Sequence, residues 1–260
     1  MCQGVPVRWD PQQYGQFAGE RARPFLDLIS RIGATSPRRV VDLGCGSGEL
    51  TALLAERWPT AVVEGIDSSA EMISSASPHE RVTLRVEDVT SWTLPPHTDV
   101  VVSNATLQWV PTHRGLLASW ASSLPPDGWL AFQVPGNFDS PSHLLMRSLA
   151  SSPQWASALS GVLRHDAVGT PSEYAAILLA AGLVADVWET TYVHVLPGPD
   201  PVLEWVRGTA LRPVMAALPP ESYPRFEEEF AAALRDAYPA TEHGTLFPFR
   251  RIFAVAHRVS

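Results

Sequence analysis

Lysine is absent from this chain of 260 residues, and all 19 basic side chains are arginines. That absence excludes Schiff-base chemistry on pyridoxal phosphate or aldol substrates, and it excludes the lysine-bearing phosphate loop. Any anion held here must be met by arginine, histidine, backbone N–H groups or a helix N-terminus. Positive charge is also scarce overall: against 27 acidic residues the net charge is −8, too acidic for the basic stripe of a nucleic-acid binder. Cysteine is limited to Cys2 and Cys45. Two thiols make no disulfide framework, which points to the cytoplasm. No run of about 18 apolar residues exists to cross a membrane, and the N-terminus has no basic segment leading into an apolar one. The eight histidines fall at no metal-ligand spacing, so no metal is expected.

What is present suffices for a folded core, with 45% apolar and 18% charged residues. The first half alternates short apolar runs with helical periodicity. Val40–Leu43, Val62–Ile66, Val82–Val86, Val100–Val102 and Trp129–Val134 read as strands. Leu50–Trp58, Ala70–Ala76 and Leu116–Leu124 read as helices, with Asp67 and Ser68 placed to cap the second. Strand and helix in repetition mean parallel βαβ units and a doubly wound α/β sheet. The second half has helical patterns broken by proline and glycine at Ser142–Leu163 and Asp200–Tyr238, a helix at Ser172–Ala181, and strands at Asp186–Leu196 and Phe249–His257. We read a single domain of residues 1–260. Its core covers about 24–136, helical insertions at about 138–165 and 198–246 form a cap, and strands at about 186–196 and 249–258 close the sheet.

The most informative residues are Asp42-Leu43-Gly44-Cys45-Gly46-Ser47-Gly48, between a strand and a helix. Glycines there let the backbone turn sharply and approach a ligand. A dinucleotide fingerprint needs a third glycine where Glu49 stands, and a carboxylate at that helix N-terminus repels a pyrophosphate. Asp42 suits an ammonium group instead. Asp67, at the end of the second strand, can accept from both hydroxyls of a ribose. Asp88 after the third strand can accept from an adenine amino group, and Ser103-Asn104-Ala105 ends the fourth strand. In order, these positions describe an adenosine that carries an amino acid.

This ordered set resembles the class I S-adenosylmethionine-dependent methyltransferases over roughly residues 38–136. The resemblance implies a Rossmann-like sheet of seven strands, mostly parallel, with the last one antiparallel and inserted between the fifth and sixth positions. It implies S-adenosyl-L-methionine as cofactor, with Asp42, Gly44, Cys45, Gly46 and Gly48 at the methionine end and Asp67 and Ser68 at the ribose. Asp88 and Val89 would flank the adenine, and Asn104, Ala105, Trp109 and Tyr14 would complete the shell. A closer resemblance runs the full length, to a branch of that family that esterifies small polycarboxylic acids. It is carried by Trp9-Asp10-Pro11, Asn104-Ala105-Thr106-Leu107-Gln108-Trp109, Gln133-Val134-Pro135-Gly136-Asn137-Phe138, Trp188-Glu189-Thr190-Thr191-Tyr192 and Phe247-Pro248-Phe249-Arg250-Arg251.

A carboxylate acceptor is ionised at pH 7, so its methylation needs no general base and no catalytic side chain is assigned. A hydroxyl, amine or carbon acceptor would need a base, for which His113 and His143 are the candidates. A polycarboxylate entering an acidic chain needs local cations, and those must be arginines. An antiparallel last strand begins at the carboxyl edge of its parallel neighbours. This places Arg250 and Arg251 beside the site, with strand alternation turning one of them inward. Tyr192, Arg207 and Arg212 are the other candidates for the acceptor. The protein is expected to act as a monomer on a small molecule, with neither nucleic acid nor membrane as partner. The other readings are a methyltransferase for another small acid or acyl thioester, a module that binds the cofactor without catalysis, and a dinucleotide oxidoreductase.

Overall fold

The structure is a computed structural model and describes residues 18–164 and 166–260; Tyr14 and the Trp9-Asp10-Pro11 segment lie outside the described residues. The chain divides into two compact units. One is an α/β unit of Ala18–Pro135, Ala167–Thr190 and Arg251–Ser260, and the other is a mainly helical unit that includes Gly136–Asp166 and Thr191–Arg250.

The α/β unit is built on β1 (Arg39–Leu43), β2 (Val62–Asp67), β3 (Val82–Val86), β4 (Val100–Asn104) and β5 (Trp129–Pro135). Two longer strands, β6 (Val184–Leu196) and β8 (Gly244–His257), each run on into the helical unit. The sheet order is β3-β2-β1-β4-β5-β8-β6, with β8 antiparallel to β5, which is the arrangement the resemblance implies. A two-residue strand, β7 (Ala240–Thr241), adds a pairing onto the start of β8. β8 therefore begins at Gly244 rather than Phe249. Thr245, Phe247 and Phe249 alternate inward in that added stretch, giving it the two-residue period of a strand.

Helix α1 (Ala18–Ser30) precedes the sheet, and α2 (Glu49–Arg57) follows the glycine loop. Glu49 in the first turn of α2 and Arg57 in the last both complement the helix dipole. The short helix α3 (Ala70–Ser74) is capped by Ser69, whose Oγ accepts from the Met72 N–H at 3.2 Å. Ser68, expected in that role, is exposed one residue too early to reach the free N–H groups of the first turn. Helix α4 (His113–Ser123) starts three residues before the apolar periodicity suggests, because His113 itself is buried. Helix α7 (Pro171–Ala180) carries a full capping box between Thr170 and Glu173.

Strand pairing sorts side chains onto two faces. Val41, Leu43, Val101, Leu130, Phe132, Ile252 and Ala254 share one face and join a core with Trp120, Tyr174 and Leu178. Inside that core His113 Nδ1 donates to the Val110 carbonyl at 2.8 Å, and Nε2 accepts from the Tyr174 hydroxyl at 2.9 Å. Tyr174 Oη in turn accepts from the Gly169 N–H at 2.9 Å. Both nitrogens of His113 are thus committed, which removes it as a base.

The helical unit has its own core. Helices α5 (Pro141–Ala150), α6 (Ala156–Leu159), α8 (Pro201–Arg207), α9 (Arg212–Ala217) and α10 (Tyr223–Ala237) pack Trp155, Trp205, Phe226, Phe230 and Phe247 together. Prolines at the start of α5, α8, α9 and α10 explain why the helical pattern of this half is broken yet real: proline suits the first turn of a helix and not its interior.

Tyr174→Phe deletes one hydroxyl and leaves the His113 ring and the Gly169 N–H short of a partner in the core. We expect a loss of about 1–3 kcal/mol of stability by urea unfolding, with cofactor affinity unchanged.

Candidate cofactor and acceptor site

The face opposite that core carries a polar row at the carboxyl ends of the strands. Asp42 pairs in register with Gly65 and with Val102, Asn104 pairs with Gln133, Gln133 with Phe253, and Pro135 with Arg251. Paired residues share a face, as do residues two apart. Asp67, Asp42, Asn104, Gln133 and Arg251 therefore stand on one face of β2, β1, β4, β5 and β8, in that order across the sheet.

The glycine loop closes over the acidic end of this row. Gly44, Gly46 and Gly48 have φ of 80°, 57° and 79°, the left-handed region that favours glycine. At Gly44 a Cβ would also lie 2.0 Å from Thr106 Oγ1, so the strand ends can approach only without a side chain there. The N–H groups of Gly44 and Cys45 both donate to the Ile66 carbonyl, at 2.8 and 3.0 Å. Asp67 accepts from the Gly46 N–H at 2.9 Å through one oxygen and from the Ser69 N–H at 2.8 Å through the other. Each oxygen keeps a second lone pair, so the carboxylate is held by the backbone and can still take ligand hydroxyls.

Asp42 is 3% exposed and accepts a 2.6 Å hydrogen bond from Thr51 Oγ1. Burial raises its pKa to about 6; the Thr51 bond opposes the rise and the nearby Asp67 adds to it. A cation beside it would restore the ionised form. Burial and the same two carboxylates also push the Cys45 thiol well up, so Cys45 is no nucleophile.

Asn104 Oδ1 is buried without a hydrogen-bond partner among the described residues. Ala105 follows with φ 54°, a left-handed conformation unusual for alanine. It is held there by its N–H donating to the Gln133 carbonyl at 2.9 Å and its own carbonyl accepting from Gln108 Nε2 at 2.5 Å. Trp109 is half-buried in the short turn Leu107–Trp109. Asp88 is exposed, with Oδ1 accepting from the N–H and hydroxyl of Thr90, both at 2.8 Å. Val89 packs into the apolar core.

At the other end of the row Arg251 is 5% exposed and donates to Gln133 Oε1 at 3.2 Å. Gln133 went unselected as a site residue. The signal was there: an amide near the end of a strand otherwise apolar from Trp129 to Val134, two residues from the turn. Arg250, half-exposed, belongs to the helical unit and lines a cavity of about 660 Å³ with Asn137, Ser140, Thr191 and Tyr238. Tyr192 is buried and lies parallel to the His194 ring. Arg212 is buried and donates to the Gly208 carbonyl at 3.1 Å. Arg207 is paired with Glu204 and with Glu227, which raise its pKa and neutralise its charge. His143 sits among Asn137, Ser140 and Ser142, and burial with Arg147 nearby lowers its pKa to about 4. Among the described residues no group of three His, Cys, Asp or Glu could hold a metal, and no helix is long and apolar enough to cross a membrane.

The residues present fit S-adenosylmethionine. Asp42 and Asp67 stand on one face with the unpartnered acceptor of Asn104, and a loop with a glycine at every second position follows the strand that carries Asp42. Residues 17–186 match the methyltransferase domain family model, and the chain belongs to that family of S-adenosylmethionine-dependent enzymes. Among its relatives is the trans-aconitate 2-methyltransferase of Streptomyces avermitilis, 54% identical over 96% of this chain and 97% of that protein. The trans-aconitate 2-methyltransferase of Rhodococcus jostii is 55% identical over 95% of this chain and 98% of its own. The fold is also that of phosphoethanolamine N-methyltransferase 2 from Haemonchus contortus, solved with S-adenosyl-L-methionine. That similarity has a TM-score of 0.54 at 18% identity and covers 92% of this chain and 53% of that one.

Gly44→Ala forces a Cβ into Thr106 at a positive φ. Calorimetry should find S-adenosylmethionine binding weakened by about tenfold or more, since the left-handed conformation alone costs roughly 1–2 kcal/mol.

Proposed function

We propose that this protein transfers the methyl group of S-adenosylmethionine to one carboxylate of trans-aconitate and releases the monomethyl ester. The observation that carries the reading is the reach of the similarity. The family model ends at residue 186, whereas the trans-aconitate 2-methyltransferases match 95–96% of the chain and so include the helical unit. We further propose that the two units act together as one methyltransferase domain, as a monomer in the cytoplasm, on a free small acid. The net charge of −8 and the lack of lysine favour that acceptor over nucleic acid or an anionic membrane surface.

Bound S-adenosylmethionine supplies an electrophilic methyl on a sulfonium, open to in-line attack. Asp67 holds the ribose hydroxyls through its remaining lone pairs, and the Gly46 and Ser69 N–H groups keep it in place. Asp42 and Asn104 Oδ1 receive the ammonium. Asp88 has a second carboxylate oxygen to offer the adenine amino group, and Val89 lines the base. The acceptor carboxylate is already anionic at pH 7 and loses no proton in the step. No base is required, and the two histidines considered for that role are poorly suited to it: His113 is committed on both nitrogens, and His143, with its pKa lowered to about 4, is a weak base. The chain contributes orientation and exclusion of water. Arg251 is the cation we assign to the acid, since it shares the face of Gln133, whereas Arg250 lies on the opposite face of β8. Arg212 and Tyr192 remain with the helical unit as supporting residues, and Arg207 is spent on its two glutamates.

The decisive experiment is a methyl-transfer assay over di- and tricarboxylates, in which trans-aconitate should give the highest kcat/KM. A flat profile would remove it as substrate, and cofactor binding without turnover on any acid would leave only a binding module. Replacing Arg251 with Met should raise the trans-aconitate KM by about 10- to 100-fold, as expected for loss of a charge-assisted contact.

Cofactor affinity should depend on pH through Asp42. Its free-state pKa of about 6 must fall when a cation binds, so binding favours the ionised form. Affinity is then flat above about pH 7, about halved near pH 6, and falls further as pH drops, by up to tenfold per unit. Asp42→Asn should be weaker throughout and lose that slope; a parallel slope in the variant would assign the titration elsewhere.

A further inference from the structure

The polar row contains a mismatch that an ammonium on Asn104 resolves only in part. Asn104 and Gln133 stand opposite one another on adjacent strands, yet Asn104 Oδ1 and Gln133 Nε2 are both buried without hydrogen-bond partners among the described residues. Gln133 is 0% exposed. Its amide cannot simply turn over. Oε1 takes the Arg251 guanidinium, which has only donors to give, so the NH2 must point elsewhere. A buried amide donor is destabilising until an acceptor arrives, and beside a guanidinium the acceptor that fits is an anion.

We propose that Gln133 and Arg251 together form a carboxylate subsite for the acceptor, in which Gln133 Nε2 donates directly to a carboxylate that is not being methylated. The proposal rests on the reading of the protein as a carboxyl methyltransferase and names the residue that recognises the second acid group. The cofactor's own carboxylate is the competing occupant, because Asn104, which we assign to its ammonium, stands directly opposite Gln133. Arg251 lies one strand beyond Gln133, on the side away from Asp42, and this second cation favours the acceptor. The binding experiment below separates the two occupants. The main-chain carbonyl of Gln133 takes the Ala105 N–H, which ties this strand to the left-handed turn at Ala105.

The test is calorimetric binding of trans-aconitate to the protein saturated with S-adenosylhomocysteine, alongside steady-state kinetics, for the wild type, Gln133→Met and Gln133→Glu. Gln133→Met keeps the shape and removes the donor. It should raise acid Kd and KM by about 10- to 100-fold, with kcat and cofactor Kd within about threefold. Gln133→Glu sets a carboxylate on the guanidinium and should abolish acid binding while urea unfolding stays cooperative. With a monocarboxylic acid, which has no second carboxylate to hold, wild type and Gln133→Met should give the same kcat/KM. That equality separates recognition from a general structural defect. Unchanged acid affinity in Gln133→Met overturns the proposal. So does a rise confined to cofactor Kd, which would give the subsite to the cofactor's carboxylate. A wild type that prefers another polycarboxylate corrects the acceptor's identity and leaves the subsite to be scored on that acid, whereas one that binds no acid removes both.

Discussion

Asp42 is the constraint around which the α/β unit is arranged. An aspartate 3% exposed in a central strand, with one threonine hydroxyl as partner, is held in an environment that disfavours its own charge. The protein tolerates this because the neighbouring groups are organised for the arrival of a cation. The glycine loop removes side chains from above it, Asp67 is pinned by two backbone N–H groups, and Asn104 keeps an acceptor open. The buried carboxylate of Asp42 and the unpartnered Asn104 oxygen are costly alone and gain from a ligand in place. Strain and unsatisfied polarity thus gather where binding will relieve them.

The same logic runs across the sheet with the sign reversed. From Asp67 through Asp42 and Asn104 to Gln133 and Arg251, one face passes from carboxylate to amide to guanidinium. The other face carries the apolar core. A methyl donor with a positive sulfonium and a polyanionic acceptor call for such a gradient. Because the chemical step needs no proton transfer, charge placement is the main lever the protein has on the reaction. Buried His113 and His143 then have other work or none: His113 ties a helix to the core, and burial lowers the pKa of His143.

The candidate site was legible from sequence in proportion to how local its geometry is. The glycine loop, Asp42 and Asp67 could be named because a strand, a tight turn and a helix in succession leave few places for them. Ser68 was off by one, since which serine caps a short helix depends on where its first turn closes. Asp88 read as a base-edge contact; one of its oxygens is tied to Thr90 by two hydrogen bonds, a local turn the sequence did not reveal, and the other is left for the base. Arg207 read as a candidate for the acceptor, and Glu227, twenty residues away on another helix, pairs with it.

The sequence by itself determined the alternation of strand and helix, the class of ligand at the glycine loop and the absence of lysine chemistry. These follow from periodicity and composition, which need no partner across space. Only the tertiary structure decided which arginine is buried beside the cofactor face, and that Gln133 stands next to it with a donor to spare. Both depend on the register of β8 against β5. A shift of one residue there would bring Arg250 to the site face and carry Arg251 away, and nothing in the local pattern of Phe249-Arg250-Arg251-Ile252 distinguishes the two.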